Sequence, residues 1–255
     1  MNTELFFKST DDLEGLGLGF SLWGPGHLIW LGCIFLAVCL ISSAYKKAGR
    51  KRRRLMAGIF AFFLPVSEII KDCYTAAIGQ FNIEYFPFHL CGISIFIILI
   101  DYLRPNRFTS QLVMYACMPG ALAALLCCDW TAAPFFNFFC IHSFVFHAVI
   151  VIYAICRYRG REIRPEYSGI WKSVAVVYGW AIPMIAVNGK FDTNFMFLNK
   201  ASEGSPLTVL VDLFGEDMYY VSFAVFVLIV WHIMYGAYSL INRAVFRGGA
   251  FELGA

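Results

Sequence analysis

A cysteine stands where a polar connector turns into a long apolar segment, in the sequence FPFHLC at residues 86–91. A cysteine thiolate is a strong nucleophile that can attack an ester to form a covalent acyl-thioester. Because apolar surroundings disfavour the thiolate, Cys91 needs a partner base to act in this way. His89 lies about 200° from Cys91 on a helix that includes both, so the two side chains do not share a face. If one of them faces a helix bundle, we expect it to be Cys91, with Ser94 on its side.

Two histidines lie in another apolar segment, at His142 and His147. They are five residues apart, or about 140° around a helix, so they do not form a two-histidine metal stripe. Ser143 and His147, four residues apart, do share a face. A buried histidine can be a simple hydrogen-bond donor, but histidine is rare in membrane-spanning helices, where it often marks a functional site. The sequence therefore offers His147 or His142 as the base for Cys91.

Three charged residues, Glu68, Lys71 and Asp72, follow Pro65 within another apolar segment. Ionisable residues at the centre of a membrane helix cost roughly 2.5–3.5 kcal/mol each, and a pair at i and i+3 offsets part of that cost. One interpretation is a functional site in which Glu68 orients the imidazole of the base, as a carboxylate does in a catalytic triad. The other interpretation is a structural ion pair that ties helices together.

These residues lie in a chain whose composition is typical of a membrane protein. Of its 255 residues, 60% are hydrophobic and only 15% are charged, whereas a soluble domain carries roughly 25% charged residues. The apolar residues fall in blocks of about twenty, the length that crosses a bilayer as a helix. We predict an all-α, polytopic bundle of seven transmembrane helices at residues 25–44, 55–78, 86–103, 110–128, 136–157, 168–188 and 217–241.

The basic residues are sorted between the connectors. Most of the 20 Lys and Arg lie in the connector 46–54, in the third and fifth connectors and in the C-terminal tail. Because cytoplasmic loops carry the Lys/Arg excess, we predict an N-terminus outside and a cytoplasmic C-terminus. The basic run at 46–54 is expected to anchor this topology against membrane lipids, and nucleic acid is not expected as a partner.

This topology predicts three parts. They are an exterior segment at residues 1–24, a single transmembrane domain at 25–241 and a cytoplasmic tail at 242–255. The connector 189–216 contains an apolar stretch too short to span a bilayer. Long loops with their own order are often functional, so we expect this connector to form an exterior cap.

The candidate residues converge in depth. At 1.5 Å per helical residue, Cys91 lies ~8 Å, His142 ~9 Å, Glu68 ~15 Å and His147 ~16 Å below the outer ends of their segments. All four therefore lie in the outer half of the membrane. Packing alone does not require this convergence. The shared depth of the four residues therefore predicts a functional site in the outer half of the membrane.

Several motifs carry a resemblance to a known family. FPFHLC with Ser94 resembles the LPLHLC-x-x-S motif of the YwaF-type integral membrane proteins, which are related to transmembrane protein 164. GPGHL at 24–28, FHAV at 146–149 and DTNFMFLNK at 192–200, followed by LVDLFG at 210–215, resemble further family segments in the same order. Where the family has Lys-Pro, this chain has Lys200-Ala201.

The resemblance implies a lipid acyltransferase. In the transmembrane protein 164 branch, a fatty acyl chain moves between phospholipids through an acyl-cysteine intermediate with a histidine as base. Carried over by motif, the nucleophile is Cys91 and the base is His147, with Glu68 expected to orient the base. We expect His142, His89, Asn194 and Ser94 to support the site.

The implied partners are phospholipid substrates and membrane lipids, with no cofactor and no metal. The chain would be a multi-pass integral membrane protein. Transfer of the acyl group to lipid and its hydrolysis use the same nucleophile, so both are expected reactions.

Two other functions are kept as alternatives. A transporter or channel would use Glu68, Lys71, Asp72 and the histidines to line a polar path, although the sequence contains no inverted repeat. A metal-dependent lipid hydrolase would use His89, Cys91, His142 and His147, whose spacing fits such a site poorly.

Overall fold

The computed structural model describes residues 3–8, 10–13, 15–202 and 204–245, and within these ranges the regular secondary structure is helical. Most of the predicted cytoplasmic tail, residues 246–255, lies outside the described residues, as do residues 1, 2, 9 and 14 of the predicted exterior segment. The α-helices, numbered in chain order, are α1 Thr3–Phe7, α2 Thr10–Leu13, α3 Pro25–Lys47, α4 Arg50–Ala77, α5 Leu90–Leu103, α6 Arg107–Leu112, α7 Met118–Leu126, α8 Phe138–Arg159, α9 Tyr167–Phe191, α10 Pro206–Phe214 and α11 Tyr219–Val245. Short 3-10 turns lie at Ile83–Tyr85, Phe195–Phe197 and Glu216–Met218, and a π-helical turn lies at Val113–Cys117.

Six helical segments of the described chain are long and apolar enough to cross a membrane. They are Pro25–Lys47, Ile83–Leu103, Arg107–Leu126, Phe138–Arg159, Tyr167–Phe191 and Glu216–Arg243. The prediction of a polytopic all-α membrane protein is confirmed at this level. The second predicted segment is also helical, as the 28-residue helix α4, but its charged residues keep it out of this set. A seventh span therefore stays a prediction.

The chain folds into two compact units. The first unit contains Met1–Tyr85 and Met118–Arg159, and the second contains Phe86–Cys117 and Gly160–Ala255. In the first unit, α8 is the central helix and packs against α3, α4 and α7. Helix α8 is buried along most of its length, so its side chains are held by neighbours on several sides.

The second unit is built around the π-helical turn Val113–Cys117, whose five residues are all buried. This turn packs against α5, α6 and α9. Pro119 follows closely and cannot donate the backbone hydrogen bond that a regular helix requires, so an irregular turn is expected here.

A buried carboxylate fixes the far end of α5. Asp101 is fully buried, and its Oδ1 accepts hydrogen bonds from the hydroxyls of Thr109 at 2.8 Å and Ser110 at 3.2 Å. Asn106 caps the start of α6 through a capping box with Thr109. These contacts hold α5 against α6, and so they position the helix that carries Cys91.

The start of α5 differs from the prediction. The third segment was predicted to run from residue 86, but the α-helix begins at Leu90, and His89 is its extended N-cap residue. Pro87 therefore precedes the helix. Cys91 lies in that first turn and not five residues below the start of the helix. Because His89 is not helical, the expected separation of about 200° does not apply.

Candidate functional site

Cys91 is the second residue of α5 and is half-buried. The first backbone N–H groups of a helix have no partner within the helix, and the His89 side chain does not cap those of α5. The next residue, Gly92, packs so closely on the preceding turn that an added Cβ would lie 2.6 Å from Cα of Pro87. Glycine therefore lets residues 87–89 fold against the turn that carries the thiol.

His89 joins this turn to a distant loop. Its Nδ1 accepts a hydrogen bond from the backbone N–H of Met196 at 3.2 Å. The rings of Phe195 and Phe197 pack against its imidazole, with centroids 5.2 Å and 5.6 Å away. Because an N–H group only donates, Nδ1 is unprotonated, and the proton of a neutral ring lies on Nε2. Nδ1 of His89 is thus a hydrogen-bond acceptor for the backbone of this loop.

Ser94 supports the same turn from within α5. It is almost fully buried, and its hydroxyl donates to the carbonyl of Leu90 at 2.8 Å. This hydrogen bond links two residues one helical turn apart, and Cys91 lies between them in the sequence. Ser94 therefore contributes to the geometry of the turn on which Cys91 lies.

The loop that reaches His89 is braced by Asn188, a fully buried residue near the end of α9. Its Oδ1 accepts hydrogen bonds from the Thr193 hydroxyl and the Phe195 N–H, both at 2.9 Å, and its Nδ2 donates to the Phe195 carbonyl at 3.0 Å. Two consecutive residues of the loop, Met196 and Phe197, have positive φ angles of 58° and 55°. Asn188 therefore holds a strained backbone that brings residues 195–197 to His89.

Asn194 closes the other side of this loop. Its Oδ1 accepts from the N–H groups of Asn199 and Lys200, both at 3.0 Å, and its Nδ2 donates to the Lys200 carbonyl at 2.9 Å. The hydroxyl of Tyr219, in α11, donates to the Phe197 carbonyl at 2.7 Å. The motif at 192–200 is thus a loop braced by its own amides, and we call it the 192–200 loop. In the second unit the structure brings His89 into contact with this loop, which contains Asn194.

His147 lies in the first unit, on α8, and only 7% of it is exposed. Its Nδ1 lies 2.7 Å from the Ser143 carbonyl oxygen, one turn earlier. Because a carbonyl oxygen only accepts, Nδ1 carries the proton, and Nε2 of the neutral ring holds the lone pair. This is the tautomer that a general base with a reactive Nε2 requires.

Glu68 and His142 meet within the first unit. Oε2 of Glu68 lies 3.8 Å from Nε2 of His142, and its other oxygen binds the Lys71 ammonium. Lys71 also lies 3.5 Å from Asp72 and packs over the Tyr85 ring. The predicted pairing of Glu68 with Lys71 is confirmed. The carboxylate thus lies beside His142, while the Ser143 carbonyl holds Nδ1 of His147.

Trp130 is a candidate residue that the motifs did not reveal. Its indole stacks on the imidazole of His147, with centroids 5.3 Å apart and planes 10° from parallel. It also makes a T-shaped contact with Phe144, one turn before His147. Trp130 lies in the connector between α7 and α8, so only the folded chain shows that it covers the histidine. A tryptophan in a short connector between two apolar segments was the only signal available beforehand.

Another histidine of the first unit has a structural role. His27 is fully buried at the start of α3; its Nδ1 accepts from the Trp23 N–H at 3.0 Å, and its Nε2 donates to the Leu125 carbonyl at 2.8 Å. Both ring nitrogens are thereby paired with backbone groups. The motif at 24–28 therefore fastens α3 to the end of α7.

The surroundings of Cys128 disfavour a thiolate. Cys128, in the connector after α7, is buried, and this burial raises the pKa of its thiol to about 12. It therefore remains a thiol at neutral pH. In the part of the chain that the structure describes, no three His, Cys, Asp or Glu side chains are grouped to hold a metal ion.

Comparison with known proteins adds one match. A family model described as the TMEM164 family matches residues 22–235, a region that contains all the candidate residues above. No curated protein and no solved structure matches the chain.

Proposed function

Because the chain belongs to the TMEM164 family, we propose that it is a membrane-embedded lipid acyltransferase. It moves a fatty acyl chain between glycerophospholipids, or hydrolyses the ester, through an acyl-cysteine on Cys91 with His147 as general base. The family match agrees with the resemblance carried by the FPFHLC motif and the 192–200 loop.

The observation that carries the proposal is the protonation of His147. Its Nδ1–H donates to the Ser143 carbonyl, so its Nε2 is available to take a proton. In other nucleophile–base pairs a carboxylate or amide orients the imidazole, and here a backbone carbonyl of the same helix does so. A carbonyl adds no negative charge that would favour a protonated ring, so the imidazole stays neutral until Nε2 takes the proton.

The position of Cys91 also supports the proposal. The first-turn N–H groups of a helix favour nearby negative charge, and they lie in the same turn as Cys91. The thiolate and the oxyanion that forms during attack on an ester are both negative. These backbone donors therefore suit the species that the reaction develops.

The proposed reaction has two steps. In the first, the Cys91 sulfur attacks the ester carbonyl, its proton passes to His147 Nε2, and the lipid alcohol leaves with that proton. In the second, an acceptor hydroxyl or water attacks the thioester and gives its proton to His147. The carbon–sulfur bond breaks, and the proton restores the thiol of Cys91.

We further propose that α4 is a seventh span, with the N-terminal segment outside and the C-terminus in the cytoplasm. At 28 residues it is about 42 Å long, more than the roughly 30 Å of a bilayer core. Its apolar side chains face outward, since Ile59, Val66 and Ile69 are 58%, 53% and 60% exposed. The Glu68 and Lys71 side chains are only 16% and 15% exposed. An apolar exterior with charges turned inward suits a helix in lipid.

An acyl-enzyme experiment tests the proposed function. Purified protein in phospholipid nanodiscs is analysed by intact mass, with and without neutral hydroxylamine, which cleaves thioesters. We expect one added acyl mass that hydroxylamine removes, that is absent from Cys91→Ala and that persists in Cys73→Ala, which removes an exposed cysteine of α4. Lipid turnover that is equal in wild type and Cys91→Ala would reject the proposal.

The transport alternative rests on the charges of α4. Glu68, Lys71 and Asp72 are already engaged in ion pairs with one another within α4, which offsets part of the cost of placing charges in a membrane helix. Flux through proteoliposomes that Glu68→Gln abolishes and Cys91→Ser preserves would favour transport over acyl transfer.

A further inference from the structure

We propose that the indole N–H of Trp130 binds the acceptor oxygen of the second step while His147 takes the proton of that oxygen. This inference rests on the proposed acyl-cysteine mechanism and adds to it a residue that positions the acceptor. The acceptor is a hydroxyl compound such as a lysophospholipid.

The first support is the geometry of the two rings. Trp130 and His147 stack almost in parallel, and they are only 8% and 7% exposed. Phe144 makes a T-shaped contact with the indole, and Phe146 makes a T-shaped contact with the imidazole. Packing on both sides fixes the orientation of the donor and of the base.

The second support is an unpaired donor. Nε1 of Trp130 is buried and has no hydrogen-bond acceptor among the described residues. An indole N–H only donates, and a buried donor that is left unpaired loses the hydrogen bond that it makes with water in the unfolded chain. A bound substrate oxygen would replace that hydrogen bond, so the unpaired N–H indicates an oxygen ligand beside His147.

The two rings together define what the ligand must offer. His147 Nε2 holds a lone pair and requires a proton donor, whereas Trp130 Nε1–H requires an acceptor. A hydroxyl group supplies both from one oxygen atom. An amine could give its proton to His147, but its one lone pair must attack the thioester and cannot also accept from the indole. The pair therefore selects an alcohol or water.

The second step moves the acyl group from the sulfur of Cys91 to the acceptor oxygen. The acceptor oxygen attacks the carbonyl carbon of acyl-Cys91, forming a carbon–oxygen bond, and its proton moves to His147 Nε2. The carbon–sulfur bond then breaks, and His147 returns the proton to the sulfur. Trp130 keeps its own proton throughout and acts only by holding the oxygen.

A donor with a different leaving group separates the two steps. A p-nitrophenyl fatty acyl ester releases p-nitrophenolate, which does not depend on the site that holds an alcohol oxygen. The burst of p-nitrophenolate therefore reports acylation of Cys91 alone. Turnover with added lysophospholipid then reports the second step. In Trp130→Phe we expect an unchanged burst and a turnover that is about 10–100-fold slower.

Two further variants separate hydrogen bonding from packing. Benzothienylalanine at position 130 keeps the shape of tryptophan but replaces the N–H with sulfur, and it should slow turnover as much as Trp130→Phe. Trp30→Phe is the matched control. It removes another buried, unpaired indole N–H, from a ring that stacks on Phe135 and Phe144. We expect its burst and turnover to match wild type.

The outcomes distinguish this inference from the function on which it rests. Absence of a Cys91-dependent burst in the wild type would reject the proposed function itself. A normal burst with wild-type turnover in the benzothienylalanine variant would overturn the role of Trp130 alone, whatever Trp130→Phe does. An equal loss of turnover in Trp30→Phe would also overturn it, because the effect would then belong to packing.

Discussion

His89 and Met196 are joined by a hydrogen bond of 3.2 Å between the imidazole Nδ1 and the backbone N–H. The two residues are 107 positions apart, and each belongs to one of the motifs that carried the family resemblance. The bond fastens the 192–200 loop to the residue that precedes the helix of Cys91. The arrangement of the loop and the start of α5 are therefore linked, and substitutions on either side can test the link.

The first prediction concerns the acceptor on His89. His89→Phe keeps an aromatic ring against Phe195 but removes the acceptor for the Met196 N–H, and it should lower stability by about 1 kcal/mol. We expect faster proteolysis within the 192–200 loop and a lower thermal midpoint in detergent. His89→Asn offers a side-chain oxygen near the position of Nδ1 and should restore most of the protection. Equal proteolysis of both variants and wild type would show that the bond does not hold the loop.

The second prediction compares two asparagines of the same region. Asn188→Ala leaves the buried N–H and carbonyl of Phe195 without their partner, which should cost about 1–3 kcal/mol. Asn194→Ala removes bonds at an exposed part of the loop and should cost clearly less. Thermal unfolding of both variants in one detergent measures the order. A larger loss for Asn194→Ala would contradict the account of the loop.

The third prediction uses the close approach at Gly92. The Cβ of Gly92→Ala would lie 2.6 Å from Cα of Pro87, so backbone must move, at a cost of about 1–3 kcal/mol. Gly179→Ala, in α9 of the same unit, is the control, because its Cβ would meet nothing within 4 Å. We expect Gly92→Ala to lower both the thermal midpoint and the acylation rate, and Gly179→Ala to lower neither. Normal acylation in a stable Gly92→Ala protein would show that this turn is not needed for the nucleophile.

The fourth prediction concerns the charges on α4. Lys71→Met leaves Glu68 and Asp72 without their shared cation, and because the group is only partly buried we expect a cost of about 1.5–3 kcal/mol. Glu68→Gln leaves Lys71 paired with Asp72 and should cost less. The double variant should be more stable than Lys71→Met alone, and a thermal double-mutant cycle measures the coupling. Additive effects would mean that the residues are independent.

The fifth prediction tests α4 as a span. Single cysteines are introduced at Lys47, just before α4, and at Ala77, the last residue of α4, and both positions are exposed. Each variant is labelled with a membrane-impermeant maleimide, and the labelling of the parent protein is subtracted as background. In intact cells the cysteine at 77 should react, and the one at 47 should react only after permeabilisation, because the basic connector is cytoplasmic. Labelling of both from the same side would exclude a seventh span.

The sequence was sufficient for much of the architecture. Blocks of about twenty apolar residues predicted the long helices, because the length of a membrane helix follows from the thickness of the bilayer. The third segment is confirmed as a candidate span, but its α-helix begins at Leu90 and not at residue 86, since FPF is as apolar as the helix that follows it. Hydropathy records composition, and it does not show contacts such as the close approach of Gly92 to Pro87 at the start of the helix.

The candidate site was predictable only in part. The roles of Cys91 and His147 were proposed from motifs and stay predictions, whereas the pairing of Glu68 with Lys71, predicted from their i and i+3 spacing, is confirmed. The brace formed by Asn188 lay hidden inside an apolar segment, because its partners are backbone groups that only the folded loop presents. Trp130 was missed for a similar reason, since the chain reveals no contact between a connector and the next helix until both are placed.

The positive φ angles of Met196 and Phe197 have a consequence for the lifetime of the 192–200 loop in its observed form. Side chains other than glycine cost about 1–3 kcal/mol each in this conformation, and that energy is released when the loop rearranges. The observed form of the loop is thus closer in free energy to rearranged forms than an unstrained loop with the same hydrogen bonds. Substitution of glycine at position 196 would relieve this strain and lengthen the lifetime of the observed form, so it should slow proteolysis within residues 192–200.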